Sequence, residues 1–383
     1  MSVIKFENII IKPGYIRADY QDNNTSHFIE FELSQDIVVR DDLIATTLAT
    51  LCGYKYKKIY MELSISEEVK KAIEYALRTE VFCKSREIEQ SVKKPFKNHI
   101  VSFSGGFDSL SMLPFLPESS GLVAMDFGGS FSREMEIIRS FTDFIVKTNI
   151  LDTDFRSNSW TFMLIASILY SDLMSAKYNV WGGVFAGSVI SNIGSIDRYA
   201  TPYVIRGTGM RSVPYLLSIT EVGTAKILLK SYPELIDDSL QSLAAESSEK
   251  RYRKQMYIEI ESMRNNVSVG LPNKLDTPLK PFAEWGKRVH SDFMQLYLIK
   301  HLGYTEASTI IKDIPEQAND LGNNLKLDFF DRFNPNVLKH IPSQFKEKYV
   351  STLLSHGIEP YTENDWKELH QVREFLAKWH TIK

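Results

Sequence analysis

Ser104-Gly105-Gly106-Phe107-Asp108-Ser109 combines small, flexible and hydroxyl-bearing residues with one carboxylate, directly after the apolar run His99 to Phe103 and before a short helical pattern. Two glycines let a backbone turn sharply and bring its N–H groups close to an anion, and the hydroxyls of Ser104 and Ser109 add donors. The stretch reads as a phosphate cradle. Asp108 would repel a bare phosphate, so a carboxylate here makes sense if it holds Mg²⁺, which binds through one or two carboxylates together with phosphate oxygens. The loop lacks the Gly-Lys-Ser/Thr ending of a Walker A motif, so a γ-phosphate reading does not apply.

At these residues the chain resembles the PP-loop ATP pyrophosphatases, whose signature Ser-Gly-Gly-x-Asp-Ser is matched at all five fixed positions. The resemblance implies a HUP or Rossmann-like doubly wound parallel sheet. It also implies ATP and Mg²⁺ as cofactors, and cleavage of ATP to AMP and pyrophosphate to activate a carboxylate or amide for a nucleophile. Within that superfamily, residues 99 to about 230 look most like the 7-cyano-7-deazaguanine (queuosine) synthase branch. Met125-Asp126-Phe127-Gly128 followed by Arg133-Glu134 is similar to that branch's segment after the second strand, Asn158 to Ala166 to its next helix start, and Val180 to Gly183 to its next strand and glycine. The resemblance therefore adds Met125, Asp126, Phe127, Arg133 and Gly182 to Ser104, Gly105, Gly106, Phe107, Asp108 and Ser109 as nucleotide-binding residues.

Two departures separate the chain from that branch. Its zinc-binding cysteine cluster has no counterpart in Ser247 to Arg253, and where it reads Thr-Lys-x-Glu this chain reads Thr220-Glu221-Val222-Gly223. A cation near the transferring phosphoryl oxygens is useful because negative charge moves there in the transition state. Lys226, Arg206 and Arg211 are candidates to replace the missing lysine, and Lys226 joins Ser104 and Asp108 as an expected catalytic residue. Asp152 and Asp154 could add a metal ligand, although a loop turn explains them as well.

The elements that must position this loop follow from periodicity. Ile4 to Ile11, Tyr15 to Tyr20, Phe28 to Leu33 and Ile59 to Leu63 read as strands, with helices over Asp41 to Leu51 and Ser66 to Val81, the latter capped by Ser66. These predict an N-terminal α+β domain over 1–95, ending at Lys93-Lys94-Pro95. Strands at His99 to Phe103, Gly121 to Phe127 and Asn179 to Gly182 alternate with helices over Arg133 to Phe144 and Trp160 to Ala176, the pattern of a parallel sheet covered on both faces. They predict a PP-loop domain over 96–235. A helical region over 236–383 follows, with a highly charged helix at Glu249 to Arg264 and an apolar face of Val289, Phe293, Leu296 and Ile299. The N-terminal segment is expected to be separable, so that removing residues 1 to about 92 leaves ATP binding measurable and abolishes transfer to the true acceptor.

Composition narrows the partners. With 45 basic and 48 acidic residues the net charge is −3, which gives no electrostatic case for nucleic acid. No apolar stretch reaches membrane-spanning length, and Met1 to Ile11 lacks a signal peptide's pattern, so a cytoplasmic protein is expected. Cys52 and Cys83 are the only cysteines and neither lies in a Cys-x-x-Cys pair. The expectation is an adenylating enzyme acting on a carboxylate- or amide-bearing acceptor, small molecule or protein, as a homodimer or complex subunit. A tRNA-modifying PP-loop enzyme and a nucleotide-binding subunit that has lost turnover are the alternatives.

Overall fold

The computed structural model describes residues 2–22, 25–86, 97–243 and 248–383. The expected boundary at Lys93-Lys94-Pro95 lies outside them. The chain is α/β, built on a ten-stranded, mostly parallel sheet. Its strands are β1 (Val3–Lys12), β2 (Tyr15–Asp22), β3 (Thr25–Leu33), β4 (Lys58–Ser66), β5 (Glu80–Arg86), β6 (Asn98–Ser102), β7 (Gly121–Asp126), β8 (Ile145–Thr148), β9 (Ala176–Val180) and β10 (Arg211–Ser212). Their order is β10-β9-β6-β7-β8-β3-β2-β1-β4-β5. No described helix is long and apolar enough to cross a membrane.

The chain divides into two compact units, and these cut across the expected boundaries at 95 and 235. The first comprises 1–104, 116–181 and 201–213, the second 105–115, 182–200 and 214–383. The N-terminal strands do not form a domain apart. β3 pairs antiparallel with β8 through Phe31–Thr148, Glu32–Lys147 and Leu33–Val146, so both halves belong to one sheet. One core runs beneath both: Ile4, Phe6, Ile29 and Leu48 belong to the same buried cluster as Ile100, Val123, Val146 and Ile168. A truncation at residue 92 would remove five strands and expose that core, so separability is corrected.

Local chemistry explains where the elements depart from the periodic reading. The helix expected to reach Val81 stops at Leu77 because Arg78 turns left-handed, and β5 follows. Ser66 caps that helix as expected, accepting from Val69 N at 3.4 Å. Arg133 to Phe144 becomes a 3₁₀ segment, Gly129–Glu134, with a short helix, Met135–Arg139, before β8. Trp160 to Ala176 is likewise split into a 3₁₀ turn, Trp160–Leu164, and the helix Ile165–Leu169.

Within the sheet, β6 lies between β9 and β7 and is parallel to both. The chain goes from β6 to β7 and β8 on one side, then returns to β9 on the other. Strand order therefore reverses at β6, the position where open α/β sheets bind ligands at their carboxyl edge. Ser104 follows β6 at that edge.

Candidate functional site

Ser104 ends a segment of the first unit, and Gly105 opens a segment of the second. Gly105 has φ +69°, a backbone conformation that favours glycine. The helix Phe107–Met112 begins two residues later and continues into the 3₁₀ turn Leu113–Phe115. Ser109 Oγ donates to the Gly106 carbonyl at 2.9 Å, so this hydroxyl braces the turn. Phe107 is buried.

Asp108 is the member of the loop that meets other chemistry. Its Oδ1 accepts from Lys254 Nζ at 2.7 Å, and Lys254 has no exposed side-chain surface while Asp108 retains 26%. Gly182 lies against the same residue: a Cβ built there would come within 3.2 Å of Asp108 Cβ. A side chain at 182 would crowd Asp108, which would have to give by a few tenths of an ångström.

Lys254 comes from the helix Glu249–Asn265, which Ser248 caps by accepting from Arg251 N at 3.2 Å. Arg253, Lys254 and Tyr257 share the buried face of this helix. The second partner helix, Glu221–Ser231, is capped by Thr220 Oγ1, which accepts from Val222 N at 3.2 Å and donates to the Phe330 carbonyl at 2.8 Å. Glu221 thus sits on the first helical position, where an anion is favoured.

The two helices bring together a buried charge cluster. Lys254 Nζ is 3.6 Å from Glu221 Oε1, while Arg253 Nη1 hydrogen-bonds Glu221 Oε2. Arg253 Nε reaches Glu249 at 2.7 Å, and its Nη1 donates to the Tyr257 hydroxyl at 3.1 Å. His290 Nε2 lies 3.5 Å from Glu221 Oε2 and 3.1 Å from Arg253 Nη1. Burial pushes the Glu221 carboxyl up, but Arg253, Lys254 and His290 outweigh it and hold the group well below the usual carboxylate range. Burial likewise lowers Arg253, and Glu221, Tyr257 and Glu249 reverse that, leaving its guanidinium well above its ordinary value.

The other expected residues have partners of their own. Lys226 Nζ donates to the Gly357 carbonyl at 2.6 Å. Arg206 stacks over Tyr203 at 4.2 Å. In the first unit, Met125 and Phe127 are buried, and Asp126 Oδ1 accepts from Gly128 N at 2.9 Å. Phe127 packs edge-on to Phe131 and Phe162, and Arg133 donates to the Ser130 carbonyl. Asp152 and Asp154 lie in two 3₁₀ turns.

Sequence reasoning missed Lys254, Arg253, Glu249 and His290. For the first three the signal was the run Glu249 to Arg264, whose charges normally mark a solvated face and whose burial only the structure reveals; His290 left no signal. Comparison of the chain with protein-family models, curated proteins and solved structures finds no match.

Proposed function

We propose that the chain is an ATP-dependent adenylating enzyme with a PP-loop domain, cleaving ATP to AMP and pyrophosphate to activate a carboxylate or amide. The observation that carries this reading is the fully buried Lys254 ammonium on Asp108 of a Ser-Gly-Gly-x-Asp-Ser loop. It supplies a cation in a chain that has Glu221 at the position of the resembled family's lysine, one of the two departures from that family. A buried lysine is retained against its desolvation penalty only where carboxylates meet it, and here both partners lie at or directly behind the loop.

The residues fit a magnesium nucleotide. Among the described residues there is no cluster of three His, Cys, Asp or Glu side chains able to hold a metal ion by themselves. That suits Mg²⁺, which takes one or two carboxylates and completes its shell with phosphate oxygens and water. Asp108 would hold it, with Gly105 and Gly106 presenting backbone N–H groups to phosphate and Ser104 adding a hydroxyl. When bound, the magnesium nucleotide supplies the electrophilic phosphorus and a pyrophosphate leaving group. Lys254 would orient Asp108 from behind the loop and lend positive charge to the phosphate site without touching it, Glu221 and Arg253 would fix its position, and Gly182 leaves room for the loop. The acceptor is a carboxylate- or amide-bearing small molecule or protein.

The test is product analysis. Purified protein incubated with ATP, Mg²⁺ and candidate acceptors is expected to form AMP and pyrophosphate, and ADP with phosphate as the turnover products would refute the reading.

A further inference from the structure

We infer that Lys254 is a counter-ion with two stations, Asp108 in the loop and Glu221 behind it, and that Glu221 and Arg253 are positioning residues that keep the second station open. This rests on the proposed function only where it concerns magnesium nucleotide. An ammonium with no solvent exposure must keep a carboxylate partner, because an unpaired buried charge is strongly destabilising. Among the described residues, two carboxylates are within ion-pair distance of Nζ: Asp108 Oδ1 at 2.7 Å and Glu221 Oε1 at 3.6 Å.

The two stations differ in ways that suit exchange. Asp108 is partly exposed, at 26%, and so can turn to a ligand, whereas Glu221 at 5% cannot leave. The two oxygens of Glu221 are divided. Oε2 is held by Arg253 and approached by His290, and Oε1 faces Lys254. Arg253 is itself fixed by Glu249 at 2.7 Å and Tyr257 at 3.1 Å, so Oε1 stays aimed at the lysine. If Asp108 engages Mg²⁺, Nζ needs to shift by less than about 1 Å to hydrogen-bond Glu221. No charge is left unpaired during the exchange. Glu221, at the position of the resembled family's lysine, becomes the partner of a lysine supplied by another helix.

The test is a stability cycle in the full chain by thermal and urea unfolding: Asp108→Asn, Glu221→Gln and the double variant. Asp108→Asn leaves Lys254 paired with Glu221 and is expected to lower Tm only slightly; Glu221→Gln leaves it paired with Asp108 but also takes a carboxylate from buried Arg253 and is expected to lower Tm more; the double is expected to lower it by clearly more than the sum of the two. Additive shifts would overturn the inference. If the double variant does not accumulate folded, adding Lys254→Met removes the stranded ammonium and is expected to restore folding; failure to restore it would also overturn the inference. A calorimetric arm titrates α,β-methylene-ATP with and without Mg²⁺. Glu221→Gln is expected to reduce the affinity gained from Mg²⁺ by tenfold or more, and an unchanged gain counts against the second station. Wild-type protein that ignores the analogue would sink the proposed function, while the unfolding cycle still decides the two stations.

Discussion

Replacing Lys254 by Met separates the charge of this side chain from its bulk. Methionine fills most of the lysine's aliphatic volume and adapts to irregular gaps, so packing is largely retained while the ammonium is lost. Glu221 keeps Arg253 on Oε2 and Asp108, 26% exposed, recovers hydration, so neither carboxylate is stranded. The stability loss is therefore expected to be at most about 2 kcal/mol, short of the roughly 3–5 kcal/mol for breaking a fully buried pair. Turnover is expected to suffer more. Asp108 loses the ammonium that orients it, and a misplacement of about 1 Å at a reacting centre costs about 10²-fold in rate. The assay is AMP release from ATP under saturating acceptor, with urea melts alongside and Lys226→Met as the comparator. Lys226 is committed to the Gly357 carbonyl, so its loss is expected to lower kcat less than about tenfold. Undiminished AMP release by the Lys254 variant, or a greater deficit in the Lys226 variant, would refute the assignment.

Gly182→Ala adds a Cβ 3.2 Å from Asp108 Cβ. Displacement of the loop is expected to lower AMP formation by about tenfold while changing stability by less than about 1 kcal/mol, and turnover equal to wild type would show that the close approach is not needed. Asp42→Asn weakens a carboxylate that accepts from Arg86 at 2.7 Å, Arg40 at 3.0 Å and Ser66 N at 2.8 Å. A loss of about 2–4 kcal/mol in urea unfolding is expected, and a shift under about 0.5 kcal/mol would refute it. Burial, with Arg264 nearby, lowers His301 to about 4. Its folded value lies below the unfolded value of about 6.5, so stability is full above about pH 6.5 and falls as the pH drops towards about 4. The full effect would be roughly 3 kcal/mol, which partial exposure reduces to about 1–2 kcal/mol. His301→Phe should flatten that part of the unfolding profile, and identical profiles would dismiss the ring.

Much of the scaffold is legible because strands and amphipathic helices leave periodic marks. Phe28 to Leu33 alternates, Ile100 and Val101 form a buried run, and Ser66 with Glu67 and Glu68 announces a helix. The turn after β6 is legible because two glycines interrupt the pattern between an apolar run and a helix start. The partners of the Asp108 carboxylate are not. Lys254 lies 146 positions from Asp108 and alone looks like an ordinary helical surface charge, and nothing local ties Glu221 to it. The union of β3 with β8 is invisible for a related reason: pairing across a long connection leaves no local pattern.

That union sets an order on synthesis. Glu32 and Lys147 bond at 115 positions' separation, so β3 has no neighbour on that side until β8 has been made. Until then the growing chain carries an open row of N–H and C=O groups beside an unfinished apolar core, a template for pairing with another nascent chain. Closing so long a loop is entropically slow, and the yield of folded protein should depend more on protection during that interval than on the final stability of the sheet.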